Sequence, residues 1–72
     1  MTKYQLKVIL KSGDKVKVIG THFKRQPAFG KTGTVRLIER VEEWCNVEVK
    51  GIPEPLRCLP EDIDFIDLEK AK

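Results

Sequence analysis

The chain has 72 residues, 14 of them lysine or arginine against 11 acidic ones, and a net charge of +3. At this length it forms one domain that buries only roughly 60% of its unfolded surface, which excludes a large enclosed active site. Hydrophobic residues at 40% and charged ones at 35% exclude a disordered tail, and the longest apolar run, Val8-Ile9-Leu10, is too short for a membrane span or the core of a signal peptide. The expectation is a cytoplasmic protein. The charge is unevenly spread: residues 1–36 carry nine lysines and arginines against Asp14 alone, and residues 37–72 carry five against ten acids. Such a division suggests a charged partner.

In chain order, Tyr4, Leu6, Val8 and Leu10 alternate with Gln5, Lys7, Ile9 and Lys11, so residues 1–12 read as an N-terminal strand or arm whose lysines suit a sheet edge. Ser12-Gly13-Asp14 is turn chemistry. Lys15-Val16-Lys17-Val18-Ile19 then predicts a strand with Val16 and Val18 inward. Periodicity stops between Gly20 and Gly33, where His22, Phe23, Lys24, Arg25, Gln26, Pro27, Ala28 and Phe29 form a basic and aromatic loop. Residues 34–40 predict the next strand, with Val35 and Leu37 inward, and Glu42-Glu43 the tip of a hairpin. Residues 44–50 predict a third strand with Cys45, Val47 and Val49 on one face and Trp44, Asn46, Glu48 and Lys50 on the other. Gly51 to Pro55 form a rigid turn, because Pro53 and Pro55 fix φ and lack donors. Residues 56–59 are a short strand, Pro60-Glu61-Asp62-Ile63 one helical turn opened by proline with acids at its positive end, and residues 64–67 a closing strand. Residues 68–72 are expected to fray. The pattern predicts an all-β fold, a small barrel of five or six strands with one 3₁₀ turn before the last strand.

Within the long loop, Gly30-Lys31-Thr32 matches the end of a phosphate-cradling loop. Such a loop needs a glycine five residues earlier and a helix afterwards, so that backbone N–H groups converge on the phosphates. Arg25 occupies the first position, and Thr34-Val35-Arg36-Leu37-Ile38 is β-branched and alternating. The segment therefore reads as a turn entering a strand, where Gly30 and Gly33 supply positive φ or close backbone approach.

Other chemistry is sparse. Cys45 and Cys58 lie thirteen residues apart without a CxxC pair and both fall on apolar strand faces, which predicts two reduced core thiols, with a structural disulfide as the alternative. With His22 they make three ligands of the usual zinc type, one short of a structural site, so no metal and no cofactor is expected. Glu42-Glu43 and Glu61-Asp62 sit in turns where carboxylates stay solvated, and His22 has no neighbouring nucleophile or acid in sequence. No catalytic residue and no small-molecule substrate are predicted.

The order Gly13-Asp14-Lys15-Val16-Lys17-Val18-Ile19, loop, Gly30-Lys31-Thr32-Gly33-Thr34-Val35 resembles the KOW motif of small SH3-like barrels, found in NusG-type transcription factors and several ribosomal proteins. Residues 56–63 are similar to the ending of such barrels, and the likeness covers residues 13–67. It implies an SH3-like fold and RNA contacts. The connection between the two motif strands is longer than the compact basic-glycine turn usual there. With its long loops the barrel is also similar to accessory subunits of electron-transfer assemblies, photosystem I subunit IV and the variable chain of ferredoxin-thioredoxin reductase, which implies docking to protein.

Two functional expectations follow. In the first, a non-catalytic module binds RNA or another single-stranded nucleic acid, Lys15, Lys17, Lys24, Arg25, Lys31 and Arg36 meeting phosphates while His22, Phe23 or Phe29 stack on bases. In the second, the basic half meets an acidic protein, with Trp44 as the anchor on the outer face of its strand.

Overall fold

The computed structural model describes residues 1–66; the expected frayed tail, residues 68–72, lies outside them, as does Asp67 of the expected closing strand. The fold is all-β. Strands β1 (Lys15–Val18), β2 (Thr32–Glu39), β3 (Trp44–Val49), β4 (Leu56–Cys58) and β5 (Ile63–Phe65) form one antiparallel sheet in the order β4-β3-β2-β1-β5. Four strands run as a meander, and the fifth returns beside the first. A 3₁₀ turn, Pro60–Asp62, directly precedes β5, as the sequence predicts. The barrel does not close: among the described residues β4 and β5 are the two edges of the sheet and do not pair.

The alternation read from sequence explains the core. Val16 and Val18 of β1, Cys45, Val47 and Val49 of β3, Cys58 of β4, and Ile63 and Phe65 of β5 are buried, while Lys15, Lys17, Glu48, Arg57 and Asp64 between them are exposed. The inner face is completed by Val35, by Leu6 and Leu10 from the N-terminal segment, and by Phe23 and Ala28 from the long loop.

Two expectations fail here. Leu37 does not point inward and is 54% exposed. The ladder pairs Val35 with Val47 and then Leu37 with Asn46, so Arg36 is an extra residue in β2 and a bulge. One added residue reverses every later side chain, which turns Leu37 outward and packs Ile38 against the core instead. The bulge is anchored by the 12–14 turn, since Ser12 Oγ donates to Arg36 O at 2.9 Å and Gly13 N to Val35 O at 2.7 Å.

The N-terminal segment is not a strand. Gln5–Ile9 is a wide helical turn, ending with Leu10 N donating to Gln5 O at 2.8 Å. Spacing decides its faces: Leu6 and Leu10 are one helical turn apart and fully buried, and Tyr4 and Val8, on the opposite side, are 64% and 57% exposed. A period of two and a period near four share these positions, and only packing chooses between them. The segment is held by the β2–β3 hairpin. Arg40 donates to Leu6 O at 3.3 Å, to Lys7 O, and to Leu10 O at 3.0 Å, satisfying carbonyls the short helix leaves open. Glu43 at the tip, at φ +63, takes Lys7 Nζ at 2.8 Å and Lys3 Nζ at 3.6 Å. The hydrogen bond from Lys7, against some desolvation, holds the Glu43 carboxyl below the ordinary range. Among the described residues no helix is long and apolar enough to cross a membrane.

Candidate nucleic-acid interface

The β1–β2 connection begins at Gly20, which stands where no side chain fits. A Cβ there would lie 2.9 Å from Asp62 Cγ and 3.0 Å from Asp62 Cβ. The backbone N–H groups of Ile19 and Gly20 donate to Asp62 O at 2.8 and 3.0 Å, so the root of the loop is fastened to the 3₁₀ turn. Contrary to the expectation of a solvated carboxylate, Asp62 is 2% exposed, because its side chain turns back onto the backbone of its own 3₁₀ turn beneath the loop root. Its Oδ2 accepts Leu59 N at 2.9 Å, and its Oδ1 lies 3.3 Å from His22 Nδ1. The buried carboxylate thus fixes an imidazole that is itself largely outside.

From this root the loop makes the 3₁₀ turn Thr21–Phe23 and continues through further turns, Lys24 N to Thr21 O, Gln26 N to Phe23 O and Lys31 N to Ala28 O. Val18 N donates to Lys31 O at 3.0 Å and Gly30 N to Val18 O at 2.8 Å, which returns the chain to β1. Gly30, at φ +78, makes the reversal, whereas Gly33 lies inside β2 for another reason: a Cβ would stand 3.0 Å from both Glu48 O and Val49 Cγ2 and against Val47 Cγ1. The Gly-Lys-Thr segment therefore enters a strand that starts at Thr32, and the phosphate-loop geometry is absent from it.

Besides His22, which Asp62 holds at the loop root, the expected binding residues separate into three groups. Phe23 is 6% exposed and belongs to the core, its ring centroid 4.1 Å from that of His22; the expectation that it stacks on a base is corrected, because a buried aromatic ring caps the inner face. Arg36 is on the surface but occupied, with Nε 2.9 Å from Glu48 Oε2. Phe29, 39% exposed, and Lys15, Lys17, Lys24, Arg25 and Lys31 stand outside. Among the described residues none of these five cations makes an ion pair; Lys15 Nζ has a neutral partner, Thr34 Oγ1 at 2.6 Å. Paired cations are found elsewhere, Lys3 and Lys7 on Glu43 and Arg57 near Glu42.

Register then gathers several of the open cations. Lys17 is opposite Thr32 on β2, which follows Lys31. Gly33 is opposite Val49 on β3, which Lys50 follows. Lys17, Lys31 and Lys50 therefore share one end of the sheet with the loop that carries Lys24, Arg25 and Phe29. Lys50 has no ion pair among the described residues, and from the sequence it is only an outer strand residue. Its signal lies in the strand register, which a linear reading lacks. The one nearby acid on β5, Asp64 opposite Lys17, accepts Phe65 N at 2.9 Å.

Trp44 is a half-buried residue that opens β3 at the other end of the sheet. Arg57 lies over its ring at 4.3 Å from the centroid, and its Nε1 donates to Glu42 Oε2 at 2.7 Å. Face and donor are thus both engaged within the chain, so an anchor role requires Arg57 to move. Among the described residues no group of three or more histidine, cysteine or acidic side chains is placed to hold a metal ion. No family model matches this chain, and no curated protein or solved structure matches it.

Proposed function

We propose that this chain is a non-catalytic binding module for single-stranded nucleic acid, RNA foremost. The observation that carries the reading is the company of Phe29: Lys17, Lys24, Arg25, Lys31 and Lys50 surround one end of the sheet and the loop beside it without carboxylate partners among the described residues. Cations in that state attract phosphates and release counterions on binding, and an exposed phenyl ring offers a stacking face to an unpaired base. RNA is preferred because its single-stranded loops splay bases out for such rings, and because residues 13–19 and 30–35 resemble the KOW pattern. His22, held by Asp62, stands at the root of the same loop.

Docking to an acidic protein is the competing reading, and the engagement of Trp44 with Arg57 and Glu42 disfavours it. The test is an amide chemical-shift titration with a short oligouridylate at low and moderate salt, with Lys24→Ala/Arg25→Ala as the comparison. Shifts at residues 17, 22–26, 28–31 and 50 are expected, together with a salt slope flatter by ~0.7 for each phosphate that the variant no longer neutralises. Shifts scattered over the surface, or equal slopes for both proteins, overturn the reading.

A further inference from the structure

Cys45 on β3 and Cys58 on β4 face each other directly in the antiparallel ladder. Both are fully buried and both are free. Facing residues on neighbouring antiparallel strands hold their Cα atoms roughly 4.5 to 5.5 Å apart, inside the roughly 4.4 to 6.8 Å that a disulfide spans. Alternation sends both side chains to the inner face of the sheet, so the sulfur atoms need only a small local adjustment of the strands to meet. β4 is also a strand that opens readily: like β5 it has three residues and lies at an edge of the sheet, and it pairs only with β3 among the described residues.

We propose that Cys45 and Cys58 are a redox modification site, converted by a low-molecular-weight disulfide such as oxidised glutathione into a reversible cross-strand disulfide when β4 lifts from β3. The chemistry is two successive exchanges. A Cys58 thiol, exposed on the lifted strand, loses its proton and attacks one sulfur of the oxidant, breaking the oxidant's S–S bond and releasing one glutathione thiolate, which takes up a proton. Cys45 then loses its proton and attacks the Cys58 sulfur of the mixed disulfide, forming the Cys45–Cys58 bond and releasing the second glutathione. Two protein thiols are oxidised and one small disulfide is reduced to two thiols.

Burial explains why the pair stays reduced in the closed sheet. Desolvation pushes the Cys45 thiol up to about 11, and desolvation together with Cys45 itself pushes Cys58 up to about 12, so the attacking thiolate is scarce until β4 opens. Once formed, the bond ties the short edge strand β4 to its interior neighbour β3 and restricts the unfolded chain. Lys17 stands on the outer face of the sheet, away from the cysteines, and Lys31 lies at the Val18 end of β1, the opposite end of the sheet from Cys45, so oxidation leaves nucleic-acid binding unchanged. The inference stands independently of the function proposed above.

The experiment treats the reduced full chain with oxidised glutathione, with and without sub-denaturing urea, and follows intact mass and melting temperature. Expected are a product lighter by two hydrogens, faster formation in urea, a higher melting temperature, and reversal by dithiothreitol. Under the same treatment Cys45→Ser is expected to stop at one glutathionyl adduct. Absence of the bridged product in both conditions, a bridged product that melts below the reduced chain, or a rate indifferent to urea overturns the proposal.

Discussion

Gly33 lies flat against Val47: a Cβ at position 33 would press on Val47 Cγ1 and stand 3.0 Å from Glu48 O. The glycine of the Gly-Lys-Thr-Gly segment is therefore a packing residue. Gly33→Ala is expected to destabilise the fold by ~1 to 3 kcal/mol through overpacking. Gly30→Ala meets open space but a φ of +78, and costs about 1 kcal/mol from backbone strain. The two are separated by adding Val47→Ala. Urea denaturation should show coupling between positions 33 and 47 and additivity between 30 and 47; additivity in both pairs would refute the packing account.

The two loop phenylalanines should respond in opposite ways. Phe23→Ala removes a buried ring from the inner face and is expected to cost ~3 to 5 kcal/mol of stability. Phe29→Ala changes stability little, yet weakens binding to an oligouridylate by the ~1 to 3 kcal/mol of one stacked base. Paired melting and fluorescence-anisotropy titrations decide this, and an unchanged affinity for Phe29→Ala removes the ring from the interface.

Arg40 holds three carbonyls of the N-terminal segment. Arg40→Ala should cost ~1.5 to 3 kcal/mol, as hydrogen bonds to a charged group do. Hydrogen exchange at Leu10 should accelerate by more than that at Val47. Equal acceleration at both amides would mean the guanidinium acts on the whole fold rather than on this segment.

Alkaline pH should unfold the chain through its thiols. Both cysteines have folded pKa values raised above the ordinary 9.0, to about 11 and about 12. Below about 9 both states are protonated and the contribution is complete; between 9 and 11 to 12 the unfolded chain ionises while the folded one does not, so stability falls as pH rises. Each thiol contributes a slope of up to about 1.4 kcal/mol per pH unit there. In Cys45→Ala/Cys58→Ala the stability is lower at neutral pH, but its decline between pH 9 and 11 should be shallower. An undiminished decline would point to other groups.

Much of the sheet is legible in the sequence because β1 and β3 each bury one face and expose the other, and that condition writes itself as Lys-Val-Lys-Val and Trp-Cys-Asn-Val-Glu-Val. The proline that opens the 3₁₀ turn at Pro60 and the acids after it are equally local signals. The outward turn of Leu37 is hidden because a bulge depends on what the partner strand offers at Asn46, and no propensity at Arg36 announces it. The N-terminal segment is ambiguous because Leu6 and Leu10 fit a strand as well as a helical turn, and the arbiter, Arg40, lies thirty residues further on. The basic loop is visible as composition, but the removal of Phe23 to the core, the capture of Arg36 by Glu48 and the arrival of Lys50 beside Lys31 are not.

By itself, then, the sequence determined which residues alternate, where the chain turns and that its first half carries the excess positive charge, since these follow from side-chain chemistry along neighbouring positions. Tertiary structure alone decided which cations remain open, which aromatic ring faces water, and that Cys45 meets Cys58. Each of those outcomes depends on the register of strands remote in sequence, where a shift of one residue would exchange the inner and outer faces.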